Sequence, residues 1–275
     1  MGRAIEIVAG FATNPGATLT TLTPSTNTSF TVRGTDTSKL AWLLTGFAFN
    51  STAGELVIKS PRLHDNVQGI RNRVTAALVA PLFNTPFNPM ARQRLFAQDN
   101  LTVQISGGGA ELDCGAIMIY YEDLAGVAGR FVDYATILKS GINLVTAEVT
   151  VTGVATGNFG GAVAINSTFD TLKANTDYAI LGGMSDTRGT AVGITGVDLG
   201  NIRTGFPCEP SLRDTTNNWF VGIAQGLGLP SIPVINSANK SAITIDVETN
   251  GAGGTFIINL TLLEMAQGAV GALGL

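Results

Sequence analysis

The second half of this chain reads as a diverged copy of the first. Leu101-Thr102-Val103-Gln104-Ile105, a glycine-rich turn and Gly115-Ala116-Ile117-Met118-Ile119-Tyr120-Tyr121-Glu122 face Ala242-Ile243-Thr244-Ile245, a second glycine-rich turn and Thr255-Phe256-Ile257-Ile258-Asn259-Leu260-Thr261-Leu262-Leu263-Glu264. Upstream, Leu40-Ala41-Trp42-Leu43-Leu44-Thr45-Gly46-Phe47 matches Tyr178-Ala179-Ile180-Leu181-Gly182-Gly183-Met184. Arg62-Leu63 and Ile70-Arg71 fall opposite Asp198-Leu199 and Ile202-Arg203, so the blocks keep their order. Offsets drift between about 132 and 142 residues, as small loop insertions would produce. A period this long marks a duplicated domain, because solenoid repeats run roughly 20–50 residues. The expected domains are residues 1–125 and 126–275, each large enough to bury a core, with the small, flexible stretch Leu124–Arg130 as linker.

The pattern within each half is extended. Ala4–Ala9, Ser29–Arg33, Leu40–Phe49, Glu55–Lys59, Leu101–Ile105 and Ala116–Tyr121 are short, β-branched or aromatic, and bounded by Gly, Pro, Asn or Thr. Val145–Thr152, Gly161–Ile165, Tyr178–Gly182, Ala191–Ile194, Ala242–Val247 and Thr255–Leu263 repeat the style. Many short strands at this spacing predict an all-β sandwich or barrel in each half. Helical spacing predicts one excursion per half before its last two strands: Asn66–Val79, with Val67, Ile70, Val74 and Leu78, and Ser211–Leu227, with Trp219, Phe220 and Ile223 on one face. Ser29–Arg33 has no evident counterpart in the second half.

Only 13% of residues are charged, and mean hydropathy is positive. Such a chain either hides much of its surface or covers it with hydroxyls and amides. No stretch approaches the roughly 20 apolar residues of a membrane-spanning helix, and the N-terminal apolar run, interrupted by Glu6, does not suit a signal peptide. Cys114 and Cys208 sit at positions that do not align, and buried free thiols in a reducing cytoplasm are the expected state. The sequons at Asn27, Asn50, Asn100, Asn166, Asn239 and Asn259 then follow from an Asn/Ser/Thr-rich composition.

Little in the sequence carries chemistry. The single histidine, His64, lies between Leu63 and Asp65 with no nucleophile elbow elsewhere, which argues against a Ser-His-Asp or Cys-His site and against histidine-rich metal centres. Glu111 and Asp113 follow a Gly-Gly-Gly run and read as turn residues, while the adjacent Glu122 and Asp123 would point to opposite faces of a strand. Asp246-Val247-Glu248-Thr249-Asn250-Gly251 begins like a calcium loop, but its twelfth position is Ile257 where a bidentate carboxylate is required. A strand running into an Asn-Gly turn is the better reading. Sixteen Lys and Arg against twenty Asp and Glu, with no basic arm and no phosphate loop, give no electrostatic footprint for nucleic acid. No catalytic residue, cofactor or metal site is therefore expected.

The duplication, strand density, helix-bearing excursions and length together resemble the double jelly-roll major capsid proteins of tailless icosahedral viruses, especially membrane-containing bacteriophages. The resemblance covers essentially the whole chain and rests on no signature motif. It implies two tandem jelly-roll β-sandwich barrels with short helical insertions. It further implies a homotrimer whose six barrels form a pseudo-hexagonal capsomer, in a virion made in the host cytoplasm. Partners would be other copies of the chain, minor capsid or vertex proteins, and an internal lipid membrane. Terminal segments often line the inner side of such shells, which makes Ile5, Ile7, Leu273 and Leu275 the expected assembly contacts. A groove on the chain's own fold is the alternative seat for the uncharged tail. A tandem β-sandwich carbohydrate-binding or surface-adhesion module shares the composition but should expose clustered aromatics, whereas Trp42 and Trp219 lie in apolar runs.

Overall fold

The computed structural model describes residues 2–36, 39–49, 54–63, 66–74, 93–107, 112–166, 171–210, 213–249, 251 and 254–270. In the first half the strands are β1 (Ala4–Thr13), β2 (Thr20–Thr21), β3 (Thr23–Pro24), β4 (Ala41–Phe49), β5 (Gly54–Lys59), β6 (Ile70–Val74), β7 (Gln93–Leu95), β8 (Thr102–Ser106) and β9 (Leu112–Tyr121). They form two antiparallel sheets, ordered β3-β1-β9-β4-β7 and β2-β8-β5-β6. The chain crosses between the sheets at most connections, staying in one sheet between β3 and β4 and in the β5–β6 hairpin. That is the winding of a jelly roll.

The second half winds in the same order through eight equivalent strands and differs in one edge strand of its five-stranded sheet. It opens with β10 (Phe131–Val132), helix α1 (Tyr134–Ser140) and β11 (Gly141–Val151), followed by β12 (Gly160–Ala164), β13 (Asp177–Ser185), β14 (Ala191–Thr195) and β15 (Thr204–Pro207). Helices α2 (Arg213–Thr216) and α3 (Trp219–Leu227) then precede β16 (Ile232–Asn236), β17 (Thr244–Glu248) and β18 (Phe256–Met265). The sheet orders are β10-β16-β13-β18-β11 and β12-β17-β14-β15. Setting β1 against β11, β9 against β18, β4 against β13 and β7 against β16 superimposes four strands of one sheet on the other, leaving the edge strands β3 and β10 unmatched. Placing β2, β8, β5 and β6 against β12, β17, β14 and β15 superimposes the second pair. The strand pairs matched by sequence, β4/β13, β8/β17 and β9/β18, occupy equivalent places. So do the first strands, where sequence similarity is thin: β1 pairs along its whole length with β9, from Ala4↔Tyr121 to Thr13↔Leu112, as β11 does with β18 apart from one bulge.

The halves differ in what covers their five-stranded sheets. In the first, both faces are buried. Ala4, Val8, Ala12, Ile117, Ile119 and Tyr121 pack inward against Leu56, Ile58, Val103 and Ile105. Ile5, Ile7, Ala9, Met118 and Tyr120 join the core of the second half instead. On β4 a register shift between Leu43 and Thr45 lets Leu43 and Ala48 face one way and Leu44 and Phe47 the other. Helix α3 is the wedge on the far side. It packs on β13 and β16, and Trp219 reaches across to stand edge-on to Phe47 at 6.1 Å, its indole N–H directed at Met118 Sδ, 3.2 Å away. Ile5 and Ile7, expected as contacts between chains, are thus 0% and 1% exposed and occupied within this chain.

Several expectations need correction. Ile70–Val74 is a strand paired with β5 from Gly54↔Val74 to Ile58↔Ile70, not part of a helix over 66–79. A four-residue spacing such as Ile70 to Val74 fits a period of 2 as well as 3.6, and Arg71 alternates out to bind Glu55 at 2.6 Å. Residues 75–79 lie outside the described set. Ser29–Arg33 makes only the isolated bridge Thr31↔Asn100. The second helical excursion is present as α2 and α3, but three strands follow it rather than two. The extra strand, β16, carries Pro233, a residue that argues against a strand in sequence. It is tolerated here because the pairing with β13 stops at Ala179↔Val234, one residue short of Pro233, while the N–H of Val234 points the other way and donates to Arg130 O at 2.8 Å.

Trp219→Ala should therefore destabilise the chain by about 3–5 kcal/mol, read as a lower denaturant midpoint, because it removes the wedge between two sheets.

Candidate functional site

The seam between the halves carries buried polar chemistry. Beyond β3, Ser25 is fixed by its N–H donating to Ala9 O at 2.9 Å. Its Oγ lies 2.9 Å from Gly157 O and in short contact with Glu248 Oε1. Next to it, the Thr26 N–H and hydroxyl donate to Asn158 Oδ1 at 2.9 and 2.8 Å. Gly157 has φ +72, a backbone state that suits glycine, and a Cβ there would come within 2.7 Å of the Phe11 ring. Further along the seam the Ile7 N–H donates to Arg203 O at 2.8 Å, the free edge of β1 meeting the end of the loop before β15.

Arg203 organises the second half's side of this seam. Its guanidinium lies 4.3 Å over the Phe159 ring and binds Asp246 Oδ2 at 2.8 Å. Asp246 and Glu248 alternate on β17 and share a face, as period two requires. Burial pushes both carboxyls up; Arg203 opposes the shift at each, and at Glu248 the Ser25 hydrogen bond opposes it too, while Asp246 adds to it. Glu248 Oε2 has no hydrogen-bond partner among the described residues. Most other buried carboxylates have cationic or amide partners: Glu6 binds Arg33 at 2.7 Å and accepts from the Tyr121 hydroxyl at 2.9 Å, Asp177 takes both arms of Arg130, and Glu209 binds Arg188 at 2.6 Å.

Of the residues weighed for chemistry in the sequence, Asp246 and Glu248 share a face, while Asp113 and Asp123 serve elsewhere. His64 and Glu111 lie outside the described residues. Asp113 is fully buried on β9, and Asp123 is ion-paired to Lys39 on the surface. Thr244–Glu248 is a strand, the reading preferred over a calcium loop, and among the described residues no group of three His, Cys, Asp or Glu could hold a metal ion. A cavity of about 200 Å³ between Arg33, Lys39, Tyr121 and Asp123 has its charges already matched: Arg33 to Glu6 and Lys39 to Asp123. Trp219 is buried and Trp42 half-buried, so neither offers an open aromatic platform.

One surface departs from this pattern. Leu138, Ile142 and Leu144 are 68%, 56% and 67% exposed, on α1 and the start of β11. Asp133 caps α1 through Thr136 N–H at 2.7 Å, and Gly141 turns the chain straight from helix into strand. β11 is an edge strand, paired only with β18. Its first seven residues, Gly141 to Ala147, carry no charge and no proline, the devices by which exposed edges are ordinarily blunted. This patch was not legible in the sequence, since the strand expected over Val145–Thr152 covers only the buried end of β11. The other two expected contacts, Leu273 and Leu275, lie outside the described residues.

The fold is that of two jelly rolls in tandem. Against known proteins, no family model matches the sequence, and no curated protein matches it. Among solved structures, a crystal structure of the STIV MCP is similar at 10% identity and a TM-score of 0.21, over 99% of this chain and 91% of that one. Strand order, not this likeness, carries the fold assignment. No helix among the described residues is long and apolar enough to cross a membrane.

Cys114 and Cys208 are free and buried, and burial pushes both thiols up, Cys208 to about 12. Neither should react with a thiol reagent at neutral pH in the native protein, and both should react after denaturation. Labelling followed by mass measurement checks this.

Proposed function

We propose that this chain is a structural protein that assembles with copies of itself, the major capsid protein of an icosahedral virion. The observation that carries the reading is the pair of equivalent barrels joined through a shared apolar core, together with an uncovered apolar edge at Leu138, Ile142 and Leu144. Two barrels per chain let three chains present six similar barrels, a unit that fills a hexagonal lattice. The low charge of the sequence suits surfaces that end up against one another, because the cores of such interfaces are depleted in charged residues. The partners are other copies of the chain, with minor capsid or vertex proteins and an internal lipid membrane as further contacts. Leu273 and Leu275, which follow the described end of the chain at Val270, belong to the same assembly surface in this reading.

Purified protein should form trimers or larger particles by light scattering and negative-stain microscopy. A stable monomer at all concentrations, or a monomer that binds an oligosaccharide array, would overturn the reading. Within an assembling protein, Leu144→Glu should shift the equilibrium toward folded monomer by at least tenfold, as one desolvated charge at an interface core costs more than about 1.4 kcal/mol. Removing the last eight residues should weaken assembly in the same direction.

A further inference from the structure

The contacts around Ser25 contain one proton too few for a carboxylate. Ser25 Oγ lies 2.9 Å from Gly157 O and in hydrogen-bond contact with Glu248 Oε1. A serine hydroxyl has one proton, and a carbonyl oxygen has none. If Ser25 donates to Gly157, the contact with Glu248 needs a proton from the carboxyl. If Ser25 donates to Glu248, its oxygen and that of Gly157 face each other without one. Only a protonated Glu248 satisfies both contacts, donating to Ser25 while Ser25 donates to Gly157. The surroundings agree. Glu248 is 0% exposed, its second oxygen has no hydrogen-bond partner, and the nearby cation, Arg203, is already bound to Asp246.

We propose that Glu248 is a neutral carboxylic acid in the native chain and acts as a pH-sensitive latch, joining the barrels through Ser25 and releasing the seam when it ionises. The groups facing it are Asp246 and Arg203 from its own half, and Cys114 on β9 with Asp113 beside it from the other. Of these only Arg203 is a cation. Ionisation would turn the one proton of Ser25 to the carboxylate, break its hydrogen bond to Gly157 O across the seam, and leave a buried charge beside Asp246. The direction of the pH dependence follows. A carboxyl whose folded-state value lies well above its ordinary 4.5 holds its proton in the folded chain at pH values where the unfolded chain has lost it. Stability is therefore greatest below 4.5 as far as this group is concerned, and falls as pH rises above that value toward the folded one. The proposal concerns the single chain and stands separately from the assembly reading.

The test is thermal unfolding of the unassembled chain from pH 5 to pH 9, for wild type, Glu248→Gln and Ser25→Ala. Glutamine keeps the shape, donates to Ser25 through its amide and cannot ionise. The wild-type midpoint should fall with rising pH by roughly 2–4 °C or more beyond any fall in Glu248→Gln. Ser25→Ala strips the carboxylate of its hydrogen bond and should steepen the fall. Parallel profiles for wild type and Glu248→Gln would overturn the latch. Should Glu248→Gln fail to fold, an unchanged slope in Ser25→Ala would overturn it as well.

Discussion

The structure depends on one sheet being buried on both faces. In an antiparallel sandwich a strand ordinarily presents one face to its core and the other to water, and its sequence alternates accordingly. Here β1 and β9 are apolar on both sides, since one face closes the first barrel and the other lies against the second half. At roughly 25 cal/mol per Å² of apolar surface removed from water, a second buried face makes the contact between barrels part of the hydrophobic core rather than a hinge. The helical excursion α2–α3 belongs to the same arrangement. Placed on the outer face of β13, with Thr261 donating to Asn217 at 3.1 Å, it turns Trp219 toward the first half's sheet.

The same constraint explains which parts of the duplication survive in sequence. β9 and β18 hold equivalent places, yet β18 alternates buried and half-buried residues from Phe256 to Leu263, while β9 is buried continuously from Asp113 to Tyr121. Each copy keeps the inward set that closes its own barrel. The outward set diverges, because in one copy it meets the other half and in the other it is only partly covered. β1 and β11 diverge further for a related reason. The outer half of β1 runs into the seam, whereas the start of β11 lies open beside α1 with Ile142 and Leu144 exposed.

Much of the architecture was therefore legible: the all-β class, the duplication and most long strands follow from period-two patterning and β-branched runs. What was not legible follows from features that carry no local signal. β2, β3, β7 and β10 span two or three residues each and exist only because a neighbour supplies their hydrogen bonds. β15 and β16 contain Pro207 and Pro233, which read as breakers. The seam was least legible of all. Ser25 resembles any loop serine and Glu248 any alternating strand carboxylate, and nothing in the sequence places them together across 223 positions. Ile5 and Ile7 carried the reverse error: an apolar N-terminal run looks available for a neighbour until a partner within the chain covers it.

A buried carboxyl is an unlikely residue to keep at a seam if firmness were all that mattered. An apolar side chain of similar size would fill the space without the cost of desolvating a polar group. Several other acids are explained by their partners: buried Asp246, Glu6 and Glu209 and half-buried Asp177 each bind an arginine. Glu248 anchors no arginine, and its second oxygen is bound to nothing among the described residues. What it contributes is direction. The apolar contacts of Trp219, Phe47 and Ile7 hold the halves together without the directionality of a hydrogen bond. A hydrogen bond from β17 to Ser25, with Ser25 tied in turn to Ala9 and Gly157, holds the two barrels at one relative position.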